Sequence, residues 1–164
     1  MLKRKLALVL LFFMMIAPFA SSVSAMENPE SEKNIVDIAI EAGNFNTLIA
    51  ALEKADLIDT LKEEGPFTVF APTDEAFEKL LSDLDISAEE LLARKDLKEI
   101  LLYHVAPEKL LSSDLKNCMK INTLADKKAK IKLDPVRINK ATVVTPDIEA
   151  SNGVIHVIDS VLLP

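Results

Sequence analysis

The chain has 164 residues with 19 basic against 26 acidic side chains, three glycines and one cysteine. That length suits one domain with a real core, and the acidic balance argues against a nucleic-acid partner. The lone Cys118 excludes an internal disulfide, so packing alone has to hold the fold.

Lys3, Arg4 and Lys5 precede an apolar run from Leu6 to Ala20, and the small-residue stretch SSVSA follows. Val23 and Ala25 meet the small-residue rule for signal cleavage, which makes residues 1–25 a signal peptide. The run falls short of the roughly 20 apolar residues a membrane helix needs, so an uncleaved anchor is the secondary reading. No cysteine follows it for lipid attachment, and no second hydrophobic tail follows the strands. The expected product is secreted, to the extracellular space or the cell surface, with no membrane span after cleavage. Loss of the three signal cations leaves 16 basic against 26 acidic residues, a net charge of −10.

Residues 26–33 are polar and read as a flexible lead-in to a single domain over 34–164. The stretch NIVDIAIEAG carries a helix with Asn34 as cap and Gly43 as stop. Phe45, Leu48, Ile49 and Leu52 continue at helical spacing. GPFTVFAP then reads as a short strand entering a helix at TDEAFEKLL, with Thr73 as cap and Asp74 and Glu75 in the positive first turn. Ser87 with Glu90, and Asp96 with Glu99, have capping-box spacing. Cys118, in KNCMKI, reads as a small buried hydrophobe.

The second half changes period. Lys128, Lys130 and Lys132 alternate with Ala129, Ile131 and Leu133 as in a half-exposed strand. VRIN and ATVV continue that style, and Asn152-Gly153 marks a hairpin before VIHVID. Helices first and mostly antiparallel strands later make the class α+β.

Three ordered stretches carry a resemblance. GPFTVFAPTDEAF, LLYHV and NGVIHVIDSVLLP resemble the first conserved motif, the tyrosine–histidine motif and the second conserved motif of fasciclin-like domains, of the beta-Ig-H3/fasciclin type. The resemblance spans about residues 31–164 and matches a small, single-domain, secreted microbial member. It implies a wedge of antiparallel strands with helices packed around it, the two signature motifs lying side by side as central strands. It also implies adhesion or matrix association without catalysis. By resemblance His156 belongs to the strand scaffold, and Tyr103 and His104 pack on the first motif with Thr73 or Asp74 as hydrogen-bond partner. Tyr103 and His104 are also candidate partner contacts. Asp147-Ile148 matches an Asp-Ile pair implicated in integrin recognition in adhesive animal members, although a turn followed by a buried aliphatic explains the same residues.

Charge marks a second surface. Residues 116–140 hold eight basic side chains against Asp126 and Asp134, while the rest of the mature chain is −16. Lys128, Lys130 and Lys132 are therefore candidates for an anionic surface or glycan, or for weak self-association of an expected monomer. The competing reading is lysine protection of an edge strand. Gly43, Gly65 and Gly153 form no phosphate loop, and two distant histidines with one cysteine make no zinc pattern. No cofactor, metal or catalytic residue is expected. The alternative function is carriage of a small apolar ligand in a helix–sheet groove.

Overall fold

Local capping decides where the helices begin. A computed structural model describes residues 33–164; the signal segment, its cleavage point and all of the lead-in except Lys33 lie outside the described residues. Asn34 Oδ1 accepts the backbone N–H groups of Val36 and Asp37 at 3.0 Å, opening α1 (Ile35–Ala42), and Gly43 closes it at φ 70°. Thr73 caps α4 (Asp74–Leu84) through the Ala76 N–H, and Ser87 and Glu90 cap α5 (Ala88–Leu92) reciprocally. Asp96 departs from expectation. It makes no cap bond to α6 (Leu97–Tyr103), because Arg94 holds its carboxylate through Nε and Nη2 at 2.8 and 2.7 Å. The remaining helices are α2 (Asn46–Lys54) and α3 (Ile58–Lys62).

The strands are β1 (Phe67–Pro72), β2 (Val105–Ala106), β3 (Lys120–Asn122), β4 (Lys128–Lys132), β5 (Arg137–Ile138), β6 (Ala141–Ala150) and β7 (Gly153–Ile158). They form one sheet in the order β2-β1-β7-β6-β5-β4-β3. The two signature strands do lie side by side at its centre, but β1 and β7 run parallel, Phe67 opposite Gly153 through Pro72 opposite Ile158. The sheet is therefore mixed. A hairpin forces antiparallel pairing only between sequence neighbours, and about 80 residues separate these two strands.

Alternation along the central strands builds a core on each face. Val69, Ala71, Ile155 and Val157 face a cluster with α1, α2, α4 and α6. Phe70 and Ile158 face a second cluster with Ile121, Ala129, Ile131 and Ile138 from β3, β4 and β5. Burial of these branched side chains contributes about 25 cal/mol for each Å² removed from water.

Three further expectations change. β4 is not an edge strand: β3 and β5 flank it, so its lysines do not guard an open edge. Cys118 is exposed, because its left-handed backbone (φ 64°) turns the side chain out while its N–H bonds Ile131 O at 2.9 Å. The hairpin places Ala150 opposite Gly153, so Ser151 and Asn152 are the turn residues. Gly153 opens β7, where a Cβ would meet the Phe67 carbonyl oxygen at 2.0 Å. Close approach of β1 requires glycine there.

Candidate functional site

The tyrosine–histidine pair is placed by the end of α6 and the helix-to-strand turn that follows it. Its ring nitrogens explain why it is buried. His104 Nδ1 donates to Ile100 O at 2.7 Å, and Nε2 accepts the Leu162 N–H at 2.8 Å. That pattern requires the neutral ring, and complete burial lowers its pKa to about 4. The bonds run to backbone rather than to Thr73 or Asp74, which corrects the expected partner. The link to the first motif is the backbone itself, Phe70 N–H to His104 O at 2.8 Å. Tyr103 OH donates to Lys128 O at 3.2 Å and accepts from Asn139 Nδ2 at 2.8 Å, joining α6 to β4. Tyr103 and His104 are only 4% and 2% exposed, so they support the surface from beneath.

His156 is fully buried on β7 and stacks on Phe70, centroids 5.7 Å apart at 18°. Its Nε2 donates to Leu110 O at 2.7 Å while Nδ1 accepts the Asp147 N–H at 3.3 Å. Burial pushes its pKa down, against the raising pull of the Leu110 carbonyl and the Asp147 charge. Every polar atom of the ring is committed to the scaffold.

Asp147 lies where β6 loses register between Thr145 and Ile148, at φ 57°. A bulge of this kind turns a side chain away from the ladder. Its carboxylate accepts from the Ser112 N–H at 2.6 Å and from the Ser112 hydroxyl. Burial alone would raise this carboxyl, but the Ser112 bonds and His156 hold it below the usual range. Asp147 is exposed, and Ile148 is half-buried against the first cluster. The exposed run just before it is Val144, Thr145 and Pro146, with Val144 62% exposed. Sequence reasoning missed Ser112, which is 35 residues away and carries no local signal. Val144 was findable, since Val143 and Val144 cannot both face inward on one strand.

Lys128, Lys130 and Lys132 all stand on the exposed face of β4, with Ala129 and Ile131 inward. The apolar space bounded by α1, α2 and the sheet, lined by Ile35, Leu48, Leu52, Val69 and Ile155 among others, measures about 10 Å³. That holds about one water molecule, so a small apolar ligand finds no room there. Among the described residues no three His, Cys, Asp or Glu side chains gather as a metal site.

With the parallel pair of signature strands and the buried histidine that caps α6 in place, comparison with known proteins points to one class. The domain pair from the insect cell adhesion molecule fasciclin I superposes on 80% of this chain and 51% of its own, with a TM-score of 0.69 at 22% identity. The family model for the fasciclin domain matches residues 43–164, and the chain belongs to that family. Protein sll1483 of Synechocystis is 44% identical across 88% of this chain and 81% of its own length. Pig transforming growth factor-beta-induced protein ig-h3 is 39% identical across 79% of this chain, which spans 19% of that longer protein. The family is known for adhesion and extracellular matrix proteins and is in general a non-enzymatic module. Among the described residues no helix is long and apolar enough to cross a membrane.

Proposed function

We propose that the chain is a non-catalytic extracellular module that associates with the cell surface or matrix by protein contact along the β6 bulge. One observation carries the reading: Val144 to Asp147 form an exposed run with an apolar side chain and a carboxylate, held in place from behind. Asp147 is fixed by Ser112 and His156, and Ile148 anchors in the core. A preformed surface loses little conformational entropy on binding, and partner contacts concentrate on such segments carried by a rigid scaffold.

The test is binding of the purified protein to the cells that produce it, compared with Val144→Ser/Thr145→Ala and, separately, Asp147→Asn. Val144 and Thr145 are exposed, so the first variant keeps the unfolding midpoint of the parent. The expected result is a fall in binding of about tenfold, the size expected for loss of a contact worth about 1.4 kcal/mol. Undiminished binding by that folded variant removes the bulge from the contact surface.

A further inference from the structure

Strand register sharpens the charge asymmetry into a specific surface. Lys120 on β3 stands directly opposite Lys130 on β4, and Lys132 on β4 stands directly opposite Arg137 on β5. All four are exposed, as is Lys128. Directly opposed positions bring side-chain roots to about 4.5–5.5 Å, where like charges destabilise the pair. Among the described residues none of these five cations pairs with a carboxylate. The two ion pairs nearest in sequence, Lys127–Glu99 and Lys109–Glu149, use other lysines. Ile121, Ala129, Ile131 and Ile138 point the other way, into the second cluster. With β4 inside the sheet, edge protection does not account for Lys128, Lys130 and Lys132; only Lys120, on β3, stands on an edge strand.

We propose that this outward face of β3, β4 and β5, carrying Lys120, Lys128, Lys130, Lys132 and Arg137, binds a linear anionic polysaccharide bearing sulfate or carboxylate groups. Lys128 to Lys132 covers four strand rises, about 13 Å, and one further cation flanks this row on each side, Lys120 from β3 and Arg137 from β5. A polyanion laid along the strands relieves both opposed pairs and releases its own condensed counterions, as other polyelectrolytes do. The composition of the face separates this partner from other polyanions. The exposed large apolar side chains among the described residues are Ile40, Leu84, Val144 and Leu163, none on β3, β4 or β5. An amphipathic membrane-surface site buries such residues beside its cations, and this face has none to insert. Phe45, Phe70, Phe77 and Tyr103 are buried and the half-buried Phe67 lies on β1, so β3, β4 and β5 present no ring on which nucleic-acid bases stack. The inference rests on the association reading only for where the partner lies; it uses different residues from the β6 bulge, and its test needs no cells.

The experiment uses the full chain with sulfated dextran as probe and neutral dextran of the same size as control. Lys120→Gln/Lys130→Gln and Lys132→Gln/Arg137→Gln are compared with Lys54→Gln/Lys98→Gln, two exposed lysines outside the sheet. Sulfated dextran is expected to bind, neutral dextran to fail, and affinity to fall steadily with added salt. Each sheet variant is expected to lose about tenfold in affinity while the helix-lysine variant retains it. Because each sheet variant removes an opposed like-charge pair, its unfolding midpoint is expected to match or exceed that of the parent, so lost binding cannot be put down to misfolding. No binding at low salt, or equal loss in all three variants, overturns the proposal. So does tighter binding to phosphatidylserine vesicles or to a single-stranded oligonucleotide. Self-association that vanishes in the sheet variants also overturns it, assigning the face to a second copy.

Discussion

His104 is a neutral ring wedged between a helix end and the last residues of the chain, and that has a price in acid. The unfolded chain takes up a proton on this ring near pH 6.5, while the folded protein resists until about pH 4. Between those values the unfolded state binds more protons, so stability falls as pH falls through that window. The loss amounts to about 3 kcal/mol by pH 4, from roughly 1.4 kcal/mol for each pH unit. His156 acts in the same direction, since burial lowers its pKa too. Urea unfolding of the parent and His104→Gln from pH 7 to pH 4 checks this. The parent is more stable at pH 7, and the gap narrows by about 3 kcal/mol on acidification; a constant gap counts against the assignment. In the sequence His156 stood out as an interior residue among Val154, Ile155, Val157 and Ile158, whereas His104 was placed inside by the resemblance of its motif. The Ile100 carbonyl lies one helical turn back from His104, but the Leu110 and Leu162 partners stand 46 and 58 residues from the rings they bond, contacts created only when distant elements meet.

Among the elements, local capping signals were readable and distant ones were not. Asn34, Thr73 and Ser87 act within three residues of their own helices. The residue before α2 is Phe45, which has no side-chain acceptor, and the cap comes from another helix. The Asp74 carboxylate accepts from Asn46 N–H at 3.2 Å and Thr47 N–H at 2.8 Å while standing in the first turn of α4. One carboxylate thus serves two helix starts, each with its positive dipole end towards it. Burial would raise its pKa, but the bonds from Thr47 and Asn46 lower it on balance. Asp74→Ala is expected to cost about 1–2 kcal/mol, the range of a lost cap, against less than about 0.5 kcal/mol for Glu75→Gln on the surface. Urea midpoints of the two variants decide it, and equal midpoints would remove the second cap. β4 gives the converse lesson. Its alternation was plain and VRIN was read as strand after it, but the order that sets β4 between β3 and β5 is a matter of pairing that periodicity does not carry.

For the whole molecule, the fold class was legible because its signature segments stand in order and both faces of β7 are apolar. The parallel relation of β1 and β7 was not, since direction across so long a connection leaves no trace in periodicity. The surface was only half legible. The lysine row was visible, but the opposition of Lys120 to Lys130 and of Lys132 to Arg137 is a fact of register. Likewise Asp147 was singled out, while the Ser112 support that fixes it belongs to tertiary structure.

The stitching of the lead-in to the last hairpin has a mechanical consequence. Lys33 O accepts the Ser151 N–H at 2.8 Å, and Asn152 Oδ1 accepts the Ile35 N–H at 3.0 Å. The N-terminal end of the described chain is thereby fastened at the start of β7, and the C-terminal residues leave from its far end. Tension between the two ends runs along the axis of β7, loading its ladders with β1 and β6 in shear, so their hydrogen bonds must yield together rather than one after another. Pulling on residues 33 and 164 in a single-molecule experiment is expected to need a higher rupture force than pulling β6 and β7 apart from their open ends, at Val143 and Ile158. The sheet's greatest resistance is therefore expected along β7, in the direction in which the chain's own ends pull.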